Sequence, residues 1–225
     1  MPQNRDLNYQ NFKAIIFDVD GTLYDQAKMR RFMVLELAKY YFLRLWKIFD
    51  LLIILKFRFE RERLSKAGAH NLECQQYKTV AEKLSVSEQR VREVIEEWIY
   101  KRPLKYFKFC VFGSLGVFLK KLVSKNIQII FLSDYPAEEK LGALGIAYDP
   151  NRVFYTASPE IDALKPNPKA LTVIFAKLGL GAENALLIGD REDKEGLMAK
   201  KVGAAYLLVG NEPDNFYRGL AKKFE

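Results

Sequence analysis

Beyond Gly113 the chain alternates between two patterns, and that alternation restricts the fold more than any other feature. "SLGVFLKKLVSK" has helical spacing, "IQIIFLSD" is a short apolar run, and another helix is predicted to begin near Pro136. "RVFYTA", "ALLIGD" and "AAYLLV" follow as apolar runs, separated by the helical stretches "PKALTVIFAKLGL" and "KEGLMAKKVG". Pro168 near the start of the first of these and Gly179 near its end punctuate it as a helix. Strands that alternate with helices form a parallel sheet covered on both faces. "FKAIIFD", Phe12 to Asp18, supplies one earlier strand, continuously apolar because both of its faces are buried.

Between Gln26 and Phe109 the strand pattern stops. Long helical stretches replace it, including "MRRFMVLELAKYYFLRLWKIFDLLIILKFRFERERL" and "SVSEQRVREVIEEWIY". In the second, Ser85 and Glu88 match an S-x-x-E capping box, and Val91, Val94, Ile95 and Trp98 form an apolar face. The expected organisation is an α/β domain made of residues 1–25 and 110–225, interrupted by a helical domain over 26–109. No internal repeat or low-complexity linker interrupts either part.

The 225 residues are 49% hydrophobic, enough for a substantial core and inconsistent with disorder. Cys74 and Cys110 form no CxxC pair and read as packing residues in a reducing, cytoplasmic setting. The single histidine, His70, reads as a surface residue and cannot build a multi-histidine zinc site. The polar start "MPQNRDLNYQNFK" lacks the apolar core of a signal peptide. The stretch Tyr40 to Phe59 is broken by Arg44, Lys47, Asp50 and Lys56, so no transmembrane helix is expected.

The net charge of +8 is concentrated. Lys28 through Lys108 holds 19 basic and 10 acidic residues, against 17 and 18 in the remainder. Such an excess suits an anionic small molecule, a membrane surface or nucleic acid, or is a solvated exterior with no partner. For the aromatic stretch Tyr40 to Phe59, packing within the helical domain or a dimer interface is the plainer reading. Peripheral membrane contact through an amphipathic basic helix is the sharper one. No nucleic-acid-binding module is recognisable, and nucleic acid is not expected as a partner. Oligomeric state is not legible.

Polar residues gather where the predicted strands end. Asp18 and Asp20 follow "AIIF", Ser133 follows "IIFL" and Asp190 follows "LLIG". In open parallel sheets the ligand crevice lies beyond the carboxyl ends of the strands. Carboxylates are costly to bury, so two of them directly behind a buried strand call for a chemical reason.

"DVDGT", Asp18 to Thr22, resembles the first motif of the haloacid dehalogenase superfamily. Ser133 in "FLSDYP" is similar to its second motif, Lys165 in "LKPNP" to its third, and "IGDREDKEG" to its fourth. DxD alone is common, but four motifs in order on a matching strand pattern are specific. The resemblance implies a Rossmann-like parallel sheet flanked by helices, with an all-helical cap inserted between the first and second motifs. It implies an Mg²⁺-dependent phosphatase acting on a small phosphate ester, for which the basic excess of the cap suits an anionic substrate.

In that reading Asp18 is the nucleophile, forming an aspartyl-phosphate, and Asp20 is the general acid and base. Asp20 would need a pKa above the free value, supplied by crowding of like charges. Gly21, Thr22, Ser133 and Lys165 are the phosphate-binding candidates. Asp18, Asp190 and the backbone carbonyl of Asp20 are the candidate metal ligands, an oxygen-only set that favours Mg²⁺ over zinc. The fourth motif departs from the common spacing, leaving Asp193, slightly favoured, and Glu195 as rivals to orient metal-bound water. A phosphomutase uses the same residues. A receiver-like switch, or a pseudo-enzyme serving as a binding protein, is the rival from outside catalysis.

Overall fold

The computed structural model describes residues 7–67 and 71–224, so the reading of His70 lies outside the described residues. Five strands form one sheet: β1 (Ala14–Phe17), β2 (Gln128–Ser133), β3 (Val153–Tyr155), β4 (Ala185–Gly189) and β5 (Ala205–Leu208). Their order is β3-β2-β1-β4-β5 and every pairing is parallel. This is the Rossmann-like arrangement expected of the alternation.

All four residues of β1 are buried because the strand is central and covered on both sides. Ile15 and Phe17 face one layer, in which Phe118 and Leu122 of α6 (Leu115–Ser124) and Tyr217 of α10 (Pro213–Lys223) pack. Ala14 and Ile16 face the other, with Leu171 and Ile174 of α8 (Lys169–Leu178) and Met198 of α9 (Leu197–Val202). The period-two alternation of a strand therefore separates two cores. Helix α10 carries no motif and was not anticipated. Helix α7 (Glu138–Ala143) starts just after Pro136.

The strand-free block forms α1 (Gln26–Phe42), α2 (Phe49–Ala67), α3 (Leu72–Leu84), α4 (Glu88–Ile95) and α5 (Arg102–Phe107). A wide π-helical turn, Glu96–Lys101, joins the last two. The block has its own core, in which Ile53, Phe57, Val80, Val91, Val94, Ile95 and Trp98 meet.

Two expectations need correction. Ser87, not Ser85, caps α4: its hydroxyl accepts from the Arg90 amide at 3.1 Å, while Ser85 closes α3 in the left-handed region at φ 52°. Cys110 is buried, but Cys74 is exposed and does not pack. The aromatic stretch is divided between buried and exposed residues. Tyr41, Ile53, Ile54 and Phe57 are buried, yet Phe42 and Trp46 are 80% and 77% exposed at the corner between α1 and α2. Among the described residues no helix is long and apolar enough to cross a membrane.

Candidate active site

β1 is bonded to β2 on one side and to β4 on the other, so the strand order reverses at β1. Connections that leave a central strand in opposite directions open a crevice at its carboxyl end. Asp18 stands at that end, its amide still bonded to the Ile188 carbonyl of β4 at 2.8 Å. Gly21 then turns the chain at φ +90°, and a Cβ built there would lie 2.4 Å from Oδ2 of Asp190. Only glycine accepts both conditions, so the Asp190 carboxylate, one residue beyond β4, lies directly on the DxD turn.

Asp18 is held from two sides. Lys165 Nζ donates to Oδ1 at 2.5 Å, and Thr22 Oγ1 donates to Oδ2 at 2.9 Å. Lys165 is only 2% exposed, donates to the Leu132 carbonyl at 3.1 Å, and pairs with Glu195 Oε1 at 2.9 Å. One buried ammonium thus sits between two buried carboxylates. Burial pushes the Asp18 carboxyl up to about 7; Lys165 opposes the rise and Glu195 adds to it. Burial would lower Lys165, but Asp18 and Glu195 outweigh it and hold its proton more tightly than in an ordinary lysine. Burial also raises Asp190, to about 6, with Glu195 contributing.

Asp20 differs from the expectation. Lys140, on α7, donates to both of its carboxylate oxygens, at 2.7 and 2.9 Å, and the Tyr24 hydroxyl donates to Oδ1. Burial would raise this carboxyl, but the ion pair with Lys140 outweighs it and holds the pKa below the ordinary range. Opposite charge at contact distance, not crowding by like charges, dominates here.

The other candidates divide. Ser133 ends β2, fully buried, its oxygen accepting from the Tyr135 amide at 3.2 Å. Thr22 is fully buried, its hydroxyl donating to Asp18. Of the two acidic rivals, Glu195 turns inward to Lys165 and also accepts from the Arg191 amide at 3.2 Å. Asp193, the slightly favoured one, turns outward into a pair with Arg191 at 2.6 Å. The cause is local. A π-helical turn over Glu192–Gly196 widens the start of the following helix, and the Gly196 amide reaches back five residues to the Arg191 carbonyl.

Sequence reasoning missed Lys140, Tyr24, Asp134 and Lys194. Lys194 pairs with Asp134 at 3.1 Å, and Asp134 accepts from Thr156 at 3.1 Å. Burial would raise Asp134, but Lys165, Lys194 and Arg61 outweigh it and hold it at about 2. Lys140 is 120 residues from Asp20 in the chain, so no local pattern announced the pair.

Asp18, Asp20, Lys140, Lys165 and Asp190, but not Thr22, Ser133 or Asp193, line one cavity of about 880 Å³, together with residues of α1 and α2 from the helical block. Ser65 on α2 donates to the Lys165 carbonyl at 2.7 Å, tying the block to the loop that carries this lysine.

A family model described as haloacid dehalogenase-like hydrolase matches residues 12–203. The chain belongs to that family. No curated protein matches it. Among solved structures, the haloacid dehalogenase fold recurs in a β-phosphoglucomutase from Clostridium difficile at TM-score 0.60 and 17% identity, over 95% of this chain and 97% of that one. It recurs in the L-2-haloacid dehalogenase from Xanthobacter autotrophicus with chloropropionic acid covalently bound, at TM-score 0.58 and 15% identity, over 90% and 80%. A HAD phosphatase from Thermococcus onnurineus aligns at TM-score 0.50 and 17% identity, over 90% and 88%. At these identities the likeness establishes the fold of a haloacid dehalogenase-like hydrolase and leaves its reaction open.

Proposed function

We propose that the protein is an Mg²⁺-dependent phosphatase that hydrolyses a phosphomonoester through an aspartyl-phosphate on Asp18. The observation that carries this reading is the second carboxylate, Asp20, which lines the same cavity as the oriented Asp18. A departing halide needs no proton, whereas a departing alkoxide does, so a proton donor beside the nucleophile suits an ester and not a carbon–halogen bond.

In the first step a carboxylate oxygen of Asp18 attacks phosphorus, and the bond from phosphorus to the ester oxygen breaks. Asp20 gives its proton to that oxygen, releasing the alcohol. Water then attacks phosphorus, Asp20 takes back a proton, and phosphate leaves with Asp18 restored. Lys165 orients Asp18 and balances charge on the transferred group. Lys140 holds Asp20 ionised; a phosphate dianion arriving between them competes for the ammonium and, as a like charge, favours the protonated carboxyl.

The residues fit Mg²⁺ as the expected metal. Asp18, Asp190 and the Asp20 carbonyl would hold it, all hard oxygen donors. Among the described residues no three acidic, histidine or cysteine side chains converge as a metal cage, so the substrate phosphate would have to complete the coordination. When bound it would supply Lewis-acid polarisation of the phosphoryl oxygens. The helical block over 26–109 would serve as the cap, excluding water from the phosphorylated Asp18.

The test is phosphate release from a panel of esters with Mg²⁺. We expect turnover of at least one ester, loss with chelator, and a fall of about a thousandfold or more in Asp18→Asn. Halide release from chloropropionic acid with no ester hydrolysed would replace this reading with a dehalogenase. Isomerised sugar phosphate with no free phosphate would replace it with a mutase.

A further inference from the structure

The cavity is divided by chemistry. Its floor is charged, through Asp18, Asp20, Lys140, Lys165, Asp190 and Lys194. From α1, α2 and the π-helical turn it takes an apolar cluster, Met33, Leu37, Leu51, Ile54, Leu55 and Trp98, beside the polar Gln26, Arg30, Arg58, Glu62 and Ser65 of the same two helices. A hydroxyl placed against that apolar cluster itself would be desolvated without a partner, which is penalised.

The apolar wall also runs out to the surface. Val34 and Leu55 line the cavity and are nevertheless 62% and 64% exposed. On α2, Leu52, Leu55 and Phe59 follow one another at spacings of three and four, with Ile48 just ahead of the helix four residues before Leu52, and all are exposed. The stripe is therefore continuous along one helix face from the cavity mouth to the α1–α2 corner.

Between wall and floor stands Arg61. Its Nη1 donates to Gln76 at 2.9 Å and its guanidinium lies 4.0 Å over the Tyr135 ring, but Nε and Nη2 are buried without a hydrogen bond. Those two nitrogens are the side-on pair that a guanidinium offers to an oxyanion. Buried donors left over in an otherwise satisfied site point to a ligand acceptor.

We infer that the substrate is an amphiphilic phosphomonoester, its phosphate on the floor, its oxyanion edge within reach of Arg61, and its apolar chain along the α1–α2 wall. This rests on the phosphatase reading and adds the class of leaving group to it.

The experiment measures kcat/KM for ethyl, butyl, hexyl and octyl phosphate, each below its micelle concentration, beside glycerol phosphate and a hexose phosphate. Each methylene buried against the wall raises kcat/KM by up to about fourfold, so octyl should exceed ethyl by about a hundredfold or more. A flat series, or polar esters that match octyl phosphate, overturns the inference. Leu55→Glu should flatten the series, and Arg61→Met should raise KM evenly across it. A slope that survives Leu55→Glu removes the chain from this wall.

Titration of the wild-type protein with the matching alkylphosphonates, which cannot be hydrolysed, separates the two readings. Affinity that grows with chain length and no turnover of any ester sinks the phosphatase and keeps the apolar site. Turnover of polar esters with no chain dependence sinks the site alone. Octyl phosphate in solution and phosphatidic acid in phosphatidylcholine vesicles then distinguish a free amphiphile from a bilayer-borne one, and turnover of either supports the inference.

Discussion

Lys165 is a fully buried cation with Asp18 at 2.5 Å and Glu195 at 2.9 Å, an arrangement that stands only while all three are present. Removing one partner of a buried ion pair leaves uncompensated charge, and Lys165→Met leaves two carboxylates facing each other. We expect a loss of about 3–5 kcal/mol in denaturant melts at neutral pH, partly recovered by adding Glu195→Gln. Equal stability of Lys165→Met and the wild type would mean that the carboxylates find other partners. Gly21 is the second exacting position. Gly21→Ala forces a Cβ against Asp190 at a left-handed φ, so we expect more than about 1 kcal/mol of destabilisation together with displaced Asp190. The crystal structure of the variant would check that displacement.

Among the elements, α4 is capped by Ser87, while Ser85 occupies the left-handed end of α3. Ser87→Ala should cost about 1 kcal/mol, whereas Ser85→Gly should be neutral or stabilising, since glycine accepts φ 52° without strain. The reverse order in thermal melts would restore the capping box at Ser85. Helix α1 is tied to the α5 segment through Glu36, which accepts from Arg102 at 2.8 Å, Lys105 at 2.9 Å and the Tyr106 hydroxyl at 2.6 Å. Hydrogen bonds from Tyr106 and Lys105 hold the Glu36 carboxyl down at about 2. A depressed carboxyl contributes stability that is present above its ordinary pKa and lost as pH falls from about 4.5 through about 2. Glu36→Gln should therefore cost about 1–2 kcal/mol at pH 7, and the gap in melting temperature should close by about pH 2.

Across the whole molecule, the helical block and the sheet domain meet beside the site. Asp162, in the loop before Lys165, accepts from the amides of Asn71 and Leu72 at 2.7 and 2.9 Å and so docks the start of α3. Asp162→Ala should speed hydrogen exchange at those amides and weaken turnover, because the same loop carries the nucleophile's ammonium; unchanged exchange would place the docking elsewhere. What the amino-acid order determined by itself was whatever repeats locally. The continuously apolar runs became strands covered on both faces, Gly21 became the left-handed turn, and Asp18, Asp20, Ser133 and Asp190 stood at strand ends because a strand's end is written in the few residues around it. Tertiary structure alone decided the pairings. Lys140 reaches Asp20 and Glu195 reaches Lys165 only because parallel crossovers bring distant strand ends to one edge, and a π-helical turn, not sequence spacing, chose Glu195 over Asp193. Which aromatics of Tyr40 to Phe59 stay exposed was decided there as well: apolar spacing marks a face, but only the packed neighbours determine whether that face is covered.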